Sequence, residues 1–66
     1  MTNAAATRTT IINRHNGRTM SFELLADFQT TRVTTHDGKS TEFGREYAAG
    51  RLHQFLRSGW TRVKAA

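Results

Sequence analysis

Asn16–Gly17 stands between two runs of alternating side chains, and that arrangement demands a β-hairpin. Both residues tolerate φ > 0, as a type I′ turn requires. A two-residue loop sets His15 opposite Arg18, Asn13 opposite Met20, Ile11 opposite Phe22 and Thr9 opposite Leu24. Met20, Phe22, Leu24, Ala26 and Phe28 recur at every second position. Ile11 then shares a face with this apolar row, as a register must. SFELLADF also places Phe22, Leu25 and Ala26 at helical spacing, so a helix competes with a strand over 19–28. The hairpin register favours strand for 19–26. One strand from Thr19 to His36 exceeds the usual length, so the chain must bend near 26–31.

Asp37–Gly38 marks a second hairpin within QTTRVTTHDGKSTEF. A three-residue loop of His36, Asp37 and Gly38, with the glycine left-handed, puts Val33 and Phe43 on one face. Eleven threonines and no proline in the 66 residues favour extended backbone. FGREYAAGRLHQFLRSGW, residues 43–60, reads as a helix. Ser40 or Thr41 supplies its cap, and Glu42 and Glu46 lie near the positive end of its dipole. Arg57 falls in the last turn and Gly59 stops it. At about 100° per residue, Ala48, Leu52, Phe55 and Leu56 form one apolar stripe, with Ala49 on its edge. Phe43 and Tyr47 fall roughly opposite that stripe, beside Arg51 and Gln54. Trp60 and Val63 follow, in a short final strand or a tail laid over the core.

A 66-residue chain supports one domain and buries only about 60% of its unfolded surface. Residues 1–7 read as a disordered tail and 8–64 as that single domain. With no Cys, disulfides and thiolate metal sites are excluded. No apolar run approaches the roughly 20 residues of a membrane span. MTNAAATRTT lacks the apolar core of a secretory signal, so no membrane is expected and the expected compartment is the cytoplasm.

Net charge is +5, and eight of the ten cations are Arg. Residues 1–22 and 47–66 contain no acid and carry +3 and +4, whereas 23–46 carry −2. If the two ends of the chain meet, their charge forms one patch that attracts polyanions. Both hairpin tips are also cationic, with Arg14, His15 and Arg18 on one and Lys39 on the other. Guanidinium binds phosphate bidentately, so such tips are suited to a phosphate backbone.

Nothing in the sequence assembles a catalytic site. There is no Gly-x-Ser-x-Gly elbow, and the five acids form no pair by spacing. His15, His36 and His53 lack the close second ligand typical of zinc sites and read as surface histidines. HNGR and HDGK match no phosphate-loop pattern and read as turns.

The expected fold is therefore α+β: a small antiparallel sheet of two hairpins, three to four strands, packed against one C-terminal helix, with a possible short final strand. This layout resembles small DNA-binding domains that pack a helix on a three-stranded sheet, in architecture alone. The expected function is that of a small, basic nucleic-acid-binding regulatory protein, phage- or plasmid-like in size, and not an enzyme. Arg14, Arg18, Arg57, Arg62 and Lys64 are the candidate backbone contacts, and Tyr47 and Arg51 the candidate readers. No cofactor or metal is expected. The alternative is a small inhibitor or adaptor that docks on a larger host protein through Phe43, Tyr47 and Trp60. An open sheet edge allows a homodimer with either.

Overall fold

The structure, a computed structural model, describes residues 5–63. Five strands and one helix follow in order: β1 (Ala5–Asn13), β2 (Thr19–Leu25), β3 (Thr30–Thr34), β4 (Ser40–Gly44), α1 (Arg45–Arg57) and β5 (Trp60–Arg62). They form one antiparallel sheet of order β4-β3-β2-β1-β5, with α1 laid across one face. The architecture is the expected α+β sheet-and-helix, with one strand more than the two hairpins supply. That strand is the WTR segment, which docks on the free edge of β1 with Trp60 opposite Asn13 and Arg62 opposite Ile11. Most of the tail expected over 1–7 lies outside the described residues; Ala5, Ala6 and Thr7 open β1.

Residues 19–25 form a strand, which resolves the competition with a helix. The first hairpin differs in register from the two-residue expectation. Ile11 faces Met20, Thr9 faces Phe22 and Thr7 faces Leu24, a slip of two residues. Asn13 is the cause. Its Oδ1 accepts the amides of His15 and Asn16 at 2.8 and 3.3 Å, and its backbone carbonyl accepts that of Gly17 at 2.8 Å. These bonds build a four-residue loop, 14–17, in which Gly17 alone takes positive φ, at 72°. Asn16 instead accepts the Arg18 amide through its side chain at 2.9 Å. An even slip leaves each strand residue on its own face, so Met20, Phe22 and Leu24 keep theirs, whereas Ala26 and Phe28, expected to continue the row, fall in the bend and are exposed.

The second hairpin follows the expected geometry. The Thr35 amide donates to the Lys39 carbonyl at 2.9 Å across the loop His36–Asp37–Gly38, with Gly38 at φ 86°. Between the hairpins the chain bends at 26–29, and Asp27 holds the bend. Its carboxylate accepts the amides of Gln29 and Thr30, both at 2.9 Å, and the Thr30 hydroxyl at 2.8 Å. These donors, the Gln29 amide foremost, hold its carboxyl below the ordinary aspartate value. A depressed carboxyl stabilises the fold above its unfolded value, and that contribution is lost as pH falls through the folded one. Asp27→Asn should therefore lower the melting temperature at pH 7 and leave it nearly unchanged near pH 2. Thermal melts at the two pH values check this, and an equal loss at both contradicts it.

The helix begins later than expected. Ser40, Thr41, Glu42 and Phe43 belong to β4, and Gly44 takes the N-cap position with no side-chain cap. The Arg45 amide instead donates to the Gln29 carbonyl at 2.9 Å, and its guanidinium reaches the Phe28 carbonyl at 3.3 Å, tying the helix start to the bend. Glu46 does occupy the first turn and Arg57 the last, and Gly59 ends the helix at φ 96°. Ile11, Phe22 and Ala48 form the buried core, with Met20, Val33, Phe43, Leu52, Phe55, Leu56 and Trp60 packed against it. Phe55 joins sheet to helix, edge-on to both Phe22 and Trp60 at 6.4 and 5.3 Å. Ala49, expected on the stripe's edge, is exposed. No described helix is long and apolar enough to cross a membrane.

Candidate nucleic-acid interface

Strand alternation decides where the charges go. In the antiparallel sheet, the β1–β2 loop and the β3–β4 loop leave the same end, whereas the β2–β3 bend leaves the other. The helix starts beside that bend and finishes beside the β1–β2 loop, where the Arg14 amide donates to the Gly59 carbonyl at 3.3 Å. Three separate segments thus bring Arg14, His15, Arg18, His36, Lys39 and Arg57 to one end, all exposed. Asp37 is the acid at this end. It accepts the Thr35 hydroxyl and the Lys39 amide, which hold its carboxyl below the ordinary value and keep it charged. One acid against four cations leaves this end strongly positive. Adjacent hairpins lie about 10 Å apart, roughly a Debye length, so their charges reinforce one another. Asp27, Arg45 and Glu46 occupy the opposite end, about 20 Å away along the strands, and are screened from the first.

The face of the sheet away from the helix is electrically balanced. Glu42, Arg32, Glu23 and Arg8 stand side by side across four strands. Arg32 and Glu42 form an ion pair at 3.4 Å, the one such pair among the described residues. Exposed pairs of this kind contribute only about 0–1 kcal/mol of stability. Their larger consequence is that this face offers a polyanion no net attraction. The neighbouring row, Ser40, Thr34, Ser21 and Thr10, is all hydroxyl.

Tyr47 and Arg51 lie elsewhere again. They flank the helix rather than opposing its apolar stripe, because Arg51 is only about 40° around from Phe55. Its guanidinium carbon sits 5.4 Å from the Phe55 ring centroid. Phe43, at the end of β4, half-buries against the core and meets the Tyr47 ring at 5.2 Å. Tyr47 itself is 57% exposed. Between α1 and the β3–β4 hairpin these side chains border a cleft of about 190 Å³, floored by Met20, Val33 and Phe55. Thr35, next to the β3–β4 loop, and Thr41 on β4 also line it.

Of the candidate contacts, Arg14, Arg18 and Arg57 are brought together, and Tyr47 and Arg51 form a second group on the cleft. Arg62 lies on edge strand β5 opposite Ile11, two residues in from the Trp60–Asn13 pair, and Lys64 is outside the described residues. Lys39 joins the first group, which only the parity of the strands shows. His53 is exposed on the solvent side of α1, and the described residues contain no cluster of three metal-ligating side chains. Comparison with protein families, with curated proteins and with solved structures finds no match.

Proposed function

We propose that this is a small basic DNA-binding regulatory protein, active in the cytoplasm, that grips the phosphate backbone with one end of its sheet. One observation carries the reading: Arg14, Arg18, Lys39 and Arg57 converge from three segments on an end whose one acid is tied into its own turn. Elsewhere the cations stand opposite acids or alone, so this end is where a polyanion is drawn. Its part is to bind and thereby exclude or position other proteins, not to catalyse. Backbone contacts of this kind orient a domain on DNA without reading sequence.

The test is affinity for a DNA duplex against salt concentration. Four phosphate contacts predict a log–log slope of about −3.6, from roughly −0.9 for each contact. No binding at micromolar protein in low salt, or affinity independent of salt, rejects the proposal.

A further inference from the structure

We infer that the cleft between α1 and the β3–β4 hairpin receives one unstacked nucleobase, so that the protein prefers single-stranded to duplex DNA. This rests on the nucleic-acid reading above and sharpens it. The cleft measures about 190 Å³. Sites for whole small-molecule ligands run from about 300 to 1,000 Å³, whereas a cavity of about 150 Å³ already holds a benzene-sized ring. The space therefore suits one flat ring system. Its floor is apolar, from Met20, Val33 and Phe55, and Tyr47 stands at its rim with more than half its surface exposed. An exposed aromatic over an apolar slot is the arrangement on which bases stack.

Charge selects a base over an apolar protein side chain. Arg51 borders the cleft, is held over the Phe55 ring and has no acid partner among the described residues. Its guanidinium can meet the phosphate that flanks an inserted base. Thr35, which lines the cleft, adjoins His36 and donates its amide to the Lys39 carbonyl. A strand with one base in the cleft thus continues onto the positive end without crossing the neutral open face. Duplex DNA keeps its bases stacked and paired and can use only the positive end.

The experiment measures fluorescence anisotropy of a labelled 20-nucleotide single strand and of the matching blunt duplex, at one salt concentration, with wild type, Tyr47→Ala, Tyr47→Phe and Arg14→Gln/Arg18→Gln. Wild type should bind the single strand more tightly. Tyr47→Ala should weaken single-strand binding about tenfold, within the range for one stacked base, and leave duplex binding unchanged. Tyr47→Phe should retain the preference, because the ring is what stacks. The Arg14/Arg18 variant should weaken both forms. Circular dichroism establishes that each variant is folded, which an exposed Tyr47 permits. Equal wild-type affinity for the two forms, or equal effects of Tyr47→Ala on both, overturns the base cleft and leaves the phosphate-binding end standing. An apolar or aromatic peptide that competes with the single strand at wild type but not at Tyr47→Ala, with no strand preference, assigns the cleft to a protein partner and also overturns it. Absence of binding to either DNA overturns both proposals.

Discussion

Ile11→Ala should lower the free energy of unfolding by about 3–4 kcal/mol, within the range for truncating a fully buried isoleucine. Ile11 is the one described side chain with no exposed surface, and it lies centrally between Met20 on β2 and Arg62 on β5. A chain of this length is expected to hold only about 3–10 kcal/mol in total. One truncation at this position therefore removes a third or more of the stability, and few other side chains share the load. The buried cluster consists of Ile11, Phe22 and Ala48, and the surrounding apolar residues are half-covered. Relaxation around the cavity is limited because Ile11 is held on both sides by paired strands. Urea unfolding followed by circular dichroism measures the effect. A loss below about 1 kcal/mol, typical of a partly exposed site, contradicts the placement of Ile11. Leu24→Ala, on the same face of β2 but only half-buried, should cost distinctly less.

Arg14→Gln/Arg18→Gln/Arg57→Gln should weaken DNA binding by roughly 500-fold at 0.1 M salt. Each phosphate contact contributes about 0.9 to the log–log salt slope, which amounts to about eightfold between 1 M and 0.1 M. Removing three contacts should thus reduce the slope from about −3.6 to about −0.9. A comparison that removes two cations from elsewhere on the sheet separates a local patch from general basicity. Arg8→Gln/Arg32→Gln also removes positive charge, but from the balanced face, where Glu23 and Glu42 stand opposite. That variant should change affinity by less than about threefold and leave the slope intact, since its charges are not in contact with phosphate. A comparable loss from both variants refutes the assignment of binding to the sheet end. Because all five positions are at least partly exposed, neither set should unfold the protein.

Much of the fold is legible in short-range features. Gly38 alone specifies the second loop, because a three-residue turn needs a left-handed residue at its end. Gly59 marks the helix end for the same reason. The first hairpin shows the limit of this kind of inference. Asn16–Gly17 correctly announces a hairpin, but the loop length is set by Asn13, whose side chain satisfies two amides beyond the strand. Ser40 and Thr41 look like helix caps because they precede a helical run, yet pairing with β3 takes those residues into a strand. Phe43 fits a helix face equally well, and only its place opposite Thr31 shows that it packs from the sheet.

The candidate site divides the same way. Net charge, the dominance of Arg and the cationic hairpin tips belong to the sequence, as do the period-two apolar row and the apolar helix stripe. These are local properties, fixed by composition and by a repeat of two or 3.6 residues. The gathering of Arg14, Arg18, Lys39 and Arg57 at one end is a property of strand parity and of the helix's return past the sheet. So is the cancellation of Arg8 and Arg32 against acids that are distant in the chain and adjacent in the sheet. Tyr47 and Arg51 become the rim of a cleft only because Val33 and Phe43 are brought beneath them from other elements. Side-chain periodicity is written residue by residue; adjacency between segments arises only when backbone pairing and core burial choose one arrangement of the whole chain.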